Sequence, residues 1–333
     1  MFKNYFKIAW RNITRHKAYT AINILGLALG ICACIVIYLI TSYEFSFDTF
    51  HPDKERIYRI TGEMQNNSGE KIFLNSVIPD VAAFQHSVSG FEAEAGFHLY
   101  DMNVGITDGK QPVKKFDSRG EIIISEPQYF DIFKYDWLAG NAATVLNEPY
   151  KVVLSESKAH KYFGNEPLDK IIGKTVTYND SLEVTVSGVV KAWNKHTDFP
   201  YTDFISISTA PNSFLKTDIP TADWSSLRPH GSMAFVKLNK GTTAAQVNTQ
   251  FEAYIKTHIK PPPGAKLTMQ LQPLKNIHFT DEYYRGDDGD NFRKAHLPTL
   301  YILMGIALFI LTIASVNFIN LSTARNLLKE QKK

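Results

Sequence analysis

Ile171 to Thr175, IIGKT, carry the lysine and threonine that close a phosphate-binding loop. Such a loop needs an earlier glycine at position 168 to cradle phosphate on its backbone amides, and that position is Leu168, so the motif fails. Asp287 to Asn291, DDGDN, cluster carboxylates around a glycine as calcium loops do. They lack the D-x-[DN]-x-[DN]-G spacing and the later bidentate glutamate, and read as a solvated acidic loop. The 10 histidines are dispersed, with no H-E-x-x-H and no Cys/His pair spacing for zinc. There is no G-x-S-x-G nucleophile turn. The 2 cysteines, Cys32 and Cys34, lie inside an apolar run on helix faces about 200° apart, and read as small apolar residues. The chain carries no enzyme, metal or cofactor signature.

The elements that hold these residues are set by two apolar stretches. Ala21 to Ile40 are unbroken by charge, and about 20 helical residues at ~1.5 Å each match a hydrocarbon core about 30 Å thick. The stretch is expected to span a membrane, within a helix over residues 18–41. Gly26 and Gly30 form G-x-x-x-G, which lets a second helix approach closely; the motif is common, and gains weight only with a partner helix. Leu297 to Ile319 supply that partner. Asn317 and Asn320 near its end either hydrogen-bond inside a helix bundle or sit hydrated at the interface.

Charge fixes an expected orientation. Lys3, Lys7, Arg11, Arg15 and Lys17 precede the first span, and Arg325, Lys329, Lys332 and Lys333 follow the second against Glu330 alone. Both termini are therefore expected in the cytoplasm. Setting those nine basic residues and Glu330 aside, 27 basic and 32 acidic residues remain, so the middle carries −5 while the whole chain is +3. The basic balance is a property of membrane flanks and gives no reason to expect nucleic acid. Within residues 1–17, Phe2, Phe6, Trp10 and Ile13 share one helical face while Lys3, Lys7, Arg11 and Arg15 occupy the other, as in a helix lying on the cytoplasmic leaflet. A cleaved signal peptide fits less well, because the apolar run is long and TSYEFSFD offers no small-residue cleavage site.

Residues 42–296 alternate strands and short helices. Strands are expected at Arg56 to Met64, Glu121 to Ser125, Tyr150 to Ser155, KTVTYN, LEVTVSGVV, DFISIST, GSMAFVKL and KLTMQLQPL. Helices are expected at PDVAAFQHSV, at QYFDIF with a Ser125-x-x-Gln128 capping box, at ESKAHKYF stopped by Gly164, and at TAAQVNTQFEAYIKTHI with Val247, Phe251, Tyr254 and Ile255 on one face. Asn179 and Asp180 read as a hairpin turn. PPPG at Pro261 to Gly264 reads as a rigid connector. The rhythm changes near Gly140 and resumes near Asp203. The fold class expected is α+β: a discontinuous α/β subdomain, about 45–139 and 201–280, with a small β-rich subdomain inserted at about 140–200.

Several strings carry a family resemblance. KNYFKIAWRNITRHKAYTAINILGLALGI at the start and SFDTFHPDKERIYRI after the first span resemble MacB-like and FtsX-like ABC transporter permeases, especially the form typical of Bacteroidetes. PQYFDIFKYDWLAGN, VVLSESKAHKYFGNEPLDKIIGKTV, VTVSGVV, LKNIHF and SVNFINLSTAR continue the resemblance in order through the chain. It implies a MacB-like periplasmic core domain with a porter-like subdomain interrupted by the inserted one, in the bacterial inner membrane. It also implies a cytoplasmic ATP-binding subunit as partner, the bilayer, and further permease helices or a second permease copy. A periplasmic partner is a further expectation, and catalysis would lie in the ATP-binding subunit. On this resemblance Gly26, Gly30, Asn317 and Asn320 are packing positions, not ligands.

Members of that family have at least four spans, whereas this chain has two and ends at NLLKEQKK. It thus resembles the amino-terminal portion of a longer permease, with residues 320–333 as a truncated cytoplasmic tail. The alternative from topology alone is a membrane-anchored extracytoplasmic sensor or binding module. A sensor would continue after Ile319 into a long signalling helix with heptads.

Overall fold

The computed structural model describes residues 17–74, 84, 86–107, 114–118, 120–219, 232–280 and 294–330. The chain divides into two compact units, Met1–Ser46 with Ala295–Lys333, and Phe47–Lys294. The first unit opens with helix α1, Lys17–Glu44, whose stretch Ile24–Glu44 is long and apolar enough to cross a membrane. Ile22, Leu25 and Leu29 are exposed on it. On a helix this apolar, such exposure suits a lipid surround, since lipid satisfies apolar side chains while the helix satisfies its own backbone. Near its end Thr41 returns its hydroxyl to the carbonyls of Ile37 and Tyr38, at 2.9 and 3.1 Å.

The second unit is built on a mixed sheet. Its first part holds β1 (Ile57–Gln65), β2 (Lys71–Leu74), β3 (Phe91–Tyr100), β4 (Asn103–Ile106), β5 (Lys114–Asp117) and β6 (Ile122–Ser125), then α2 (Tyr129–Ile132) and β7 (Trp137–Ala139). Next come β8 (Lys151–Ser155), α3 (Glu156–Phe163), α4 (Leu168–Ile171), β9 (Thr175–Tyr178) and β10 (Leu182–Val190). The chain returns through β11 (Asp203–Ser206), β12 (Ser232–Leu238), α5 (Ala244–His258), β13 (Lys266–Pro273) and α6 (Leu274–Ile277). The strand order is β13-β1-β12-β3-β6-β11-β8-β10-β9-β4-β5, with β2 added to β1 and β7 to β10. Two pairs, β6 with β11 and β8 with β10, are parallel, and the other pairs are antiparallel.

Side-chain alternation along the central strands explains the layering. Ile123, Val153 and Phe204 face an aromatic core with Phe97, Tyr129, Phe133, Phe199 and Phe235. Their neighbours Ile122, Ile124, Val152, Leu154 and Ile205 face the opposite side, packed with Val104, Tyr162, Tyr178 and Val186. Strands buried on both faces need near-continuous apolar runs, which is why EIIIS and KVVLS lack a polar alternation. At the other end of the sheet, Val247, Phe251 and Tyr254 of α5 pack on Ala234, Val236, Met269 and Leu271. Thr243 and Gln246 close a full capping box at the start of α5.

Most expected elements form where the sequence puts them. ESKAHKYF is a helix capped by the Ser155 hydroxyl and ended by Gly164 at φ 75°, and LEVTVSGVV is a strand end to end. Asn179 and Asp180 adopt φ 48° and 57°, the positive values a type I′ turn requires between β9 and β10. The expected helix at PDVAAFQHSV lies outside the described residues apart from Phe84 and 86–88, and RGDDGDNF lies wholly outside them.

Two local expectations are corrected. No capping box forms at Ser125, because that residue is held in β6 between Phe97 and Ser206. Helix α2 starts later, after Gln128, and its first amides go to the carbonyls of Glu126, Pro127 and Gln128. DFISIST is strand only to Ser206. Ile207–Asn212 then turn into a 3₁₀ helix, where the Thr209 hydroxyl accepts the Tyr150 amide at 2.8 Å.

The segment at 140–200 is not separated by any break in hydrogen bonding, since β8 pairs with β11 and β7 with β10. Strands β4 and β5, from residues before that segment, lie beyond its β9. The chain returns to the first unit in α7, Leu297–Glu330, whose stretch Leu297–Asn317 is also apolar enough to span a membrane. The helix continues past the expected end of the span at Ile319.

Gly140 tests the join between β7 and β10. It has φ +88°, and a Cβ there would lie 2.5 Å from the Ser187 carbonyl oxygen and 2.8 Å from Gly188 Cα. Both are backbone atoms that cannot swing away. Gly140→Ala is expected to destabilise the domain by about 3 kcal/mol, read as a lowered melting temperature of the detergent-solubilised chain.

Candidate functional site

Among the described residues, one group of side chains converges where the chain enters and leaves the sheet domain. Asp48 has φ 53°, a left-handed conformation that a short polar side chain tolerates. Its amide donates to the His196 carbonyl at 3.0 Å, and its carboxylate accepts the Asp198 amide at 3.2 Å and the Thr197 hydroxyl at 2.5 Å. Beside it, Phe47 stacks on the His278 ring at 3.7 Å and 12°. His51 is 2% exposed, wedged among Phe50, Phe133 and Trp193 with ring centroids 4.1, 5.3 and 4.8 Å away, and its Nε2 lies 3.7 Å from the Asp48 carboxylate.

Asp198 is the centre of this cluster. It is 4% exposed, with His278 Nδ1 at 3.0 Å from one carboxylate oxygen and Lys294 Nζ at 2.8 Å from the other. Burial alone would raise its carboxyl, but the hydrogen bond from His278 and the charges of Lys294 and His278 outweigh that and hold it below the ordinary carboxylate range. An ionised carboxylate only accepts, so His278 must carry its proton on Nδ1. What this arrangement does chemically is hold three segments together through one buried charge.

A second charge group braces the start of β1. Asp53 and Glu92 alternate with Arg56 and Lys237: Lys237 Nζ lies 2.7 and 2.8 Å from the two acids, and Arg56 bonds both acids and the Leu238 carbonyl. Hydrogen bonds from Lys237 and then Arg56 lower Asp53 to about 2, and Arg56 then Lys237 lower Glu92. A third group is interior to the far part of the sheet. Asp203, fully buried, accepts hydroxyls from Tyr178 at 2.6 Å and Tyr162 at 2.9 Å. Burial raises its carboxyl against the pull of the Tyr178 bond and the Lys158 charge. Lys158 in turn bonds Ser118 at 2.8 Å and pairs with Glu121. Among the described residues no group of three or more His, Cys, Asp or Glu is arranged to hold a metal.

The packing positions named from sequence lie on the helix pair. A Cβ at Gly30 would be 3.3 Å from Ala314 Cβ, so the glycine sits at a close helix contact. Cys34 Sγ donates to the Ala307 carbonyl at 3.2 Å. Gly26 has open space at its Cβ position, and it lines a groove of about 340 Å³ with Gly30, Ala33, Ala314 and Asn317. Asn320 is exposed. The interfacial-helix residues Phe2, Lys3, Phe6, Lys7, Trp10, Arg11, Ile13 and Arg15 lie outside the described residues. Sequence reading missed Asp48, His51, Asp198, His278 and Lys294. Its signal was present: SFDTFHPDKERIYRI and LKNIHF, noted as separate strings, meet at the Phe47–His278 stack.

Comparison with known proteins gives the context. The family model for the MacB-like periplasmic core domain matches residues 20–254, more than two thirds of the chain. Among solved structures, a domain of a protein described as a permease from Porphyromonas gingivalis superposes with a TM-score of 0.55 at 19% identity, covering 68% of this chain and 92% of that one. The periplasmic region of MacB from Actinobacillus actinomycetemcomitans aligns with a TM-score of 0.41 at 19% identity, over 62% of this chain and 87% of that one. A search among curated proteins finds no match.

The braces set an acid limb to stability. Asp53, Glu92 and Asp198 all have folded-state values below those of the unfolded chain, so at pH 4 the unfolded state binds more protons. Their contribution is complete above about pH 5 and is lost as pH falls below about 4, for Asp53 towards its lowered value of about 2. Asp53→Asn is expected to flatten the fall in melting temperature between about pH 5 and about pH 3, measured beside the unaltered chain.

Proposed function

The chain belongs to the MacB-like periplasmic core domain family, which makes it an ABC transporter permease component, and on that premise we propose how it works. ATP hydrolysis in a separate cytoplasmic subunit moves the membrane helices, and the sheet domain outside follows, driving export or extrusion of cargo. The observation that carries this reading is the order of parts: an apolar helix at Ile24–Glu44, a mixed-sheet domain, and a second apolar helix at Leu297–Asn317. A domain tethered at both ends to membrane helices is suited to being moved by them.

The chain itself supplies no ATP chemistry in this reading. IIGKT folds as a helix-to-strand turn: Ile171 ends α4, Gly173 turns at φ 88°, and Thr175 opens β9. The partners are a cytoplasmic ATP-binding subunit, the bilayer, and further permease helices or a second permease copy, with a periplasmic partner for the outer domain. The five basic residues before Ala21 support an inner-membrane orientation with both termini in the cytoplasm. Gly26, Gly30, Asn317 and Asn320 are then the positions that receive neighbouring helices, and the close approach at Gly30 is consistent with that role.

Two measurements test this. Protease added to spheroplasts is expected to digest residues 42–296 and leave tags on both termini intact; cleaved terminal tags would overturn the orientation. The chain is expected to co-purify from its native membrane with an ATP-binding subunit, and repeated purification without one would remove the transport reading.

A further inference from the structure

The chain passes into the sheet domain at Phe47 and out of it at Lys294. Both crossing segments are fastened to the same short connection, residues 191–202, which links β10 to β11. On the entering side, Asp48 binds this connection by three hydrogen bonds: its amide to His196, and its carboxylate from Thr197 and from the Asp198 amide. On the leaving side, Lys294 Nζ reaches the Asp198 carboxylate at 2.8 Å. His278 holds the other carboxylate oxygen while its ring carries Phe47 at 3.7 Å.

Asp198 therefore serves one segment with its backbone and the other with its side chain. The carboxylate is buried, so separating it from Lys294 leaves an uncompensated charge in a poorly solvating interior, which is strongly unfavourable. We infer that Asp198 is a positioning residue that yokes the entering segment to the leaving segment, so that displacing either one loads the other and the β10–β11 connection together. Its purpose rests on the permease reading, in which both segments continue into membrane helices. The yoke itself is a property of the resting protein, so its test needs neither ATP nor a partner and fails independently of that reading.

An ion pair that merely stabilises its surroundings would loosen only the segment that loses it. A yoke makes the two segments sense each other, and the effect must be equal in both directions. Hydrogen exchange read by mass spectrometry on the full chain in detergent separates the two. Lys294→Met is expected to speed exchange in the peptide over 47–51 and in that over 196–199 by about 10-fold, and Asp48→Asn is expected to speed exchange over 294–296 by about the same factor. Lys294→Arg, which keeps the charge, is expected to restore protection over 47–51. In an Asp198→Asn background the cross effects are expected to vanish. The inference is overturned if Lys294→Met loosens only its own segment, or if the cross effects persist without the Asp198 carboxylate. Should Asp198→Asn fail to fold, the contrast between Lys294→Met and Lys294→Arg decides alone, since both keep Asp198.

Discussion

Three adjacent strands, β6, β11 and β8, lose water on both faces, and the packing of the sheet domain follows from that. A strand in this position has no solvent side to receive a polar residue, so each needs apolar partners above and below. On one side the demand is met by aromatic rings: Phe97, Tyr129, Phe133, Phe199 and Phe235 surround Phe204 and Val153. On the other it is met by branched aliphatics and tyrosines from β4, β9, β10 and α3. The second solution brings β4 and β5 to the far end of the sheet, although they precede β6 in the chain. It also buries Asp203 beneath two tyrosine hydroxyls, which fill the hydrogen bonds that water would otherwise supply.

The same economy of buried charge governs the domain's two ends. Asp48, Asp198, Lys294 and the His278 ring sit together because none of them is tolerable alone in a dry environment. Once brought together they define where the chain enters and leaves. The neighbouring set of Asp53, Arg56, Glu92 and Lys237 adds a more exposed brace, whose value in water is smaller for each pair but is shared across four groups. A domain held by two membrane helices has reason to make its attachment points firm.

The sheet domain of this family member is a continuous packed body whose chain enters and leaves beside one buried charge cluster. The central sheet is hydrogen-bonded without interruption from β13 to β5. Packed interiors transmit displacement because they have few voids to collapse into. Gly30 and Ala314 give the helix pair a close contact of its own.

Local pattern was enough for much of this. The apolar lengths of α1 and α7, the helix at Glu156–Phe163 with its Gly164 stop, the Asn179-Asp180 turn and the apolar face of α5 were all legible, because each depends on residues within a few positions of one another. Pattern failed at Ser125, where a local capping signal lost to strand pairing with distant residues. It was silent on the placement of β4 and β5 and on the cluster at Asp198, whose partners Asp48, Lys294 and His278 are 150, 96 and 80 residues away. The sequence alone determined the membrane stretches, the periodic elements and the family resemblance, since periodicity and composition are local quantities. Only the tertiary structure decided which strands share a sheet and which buried charges meet, because a charge carries no mark of its partner until burial removes the water that would have served in its place.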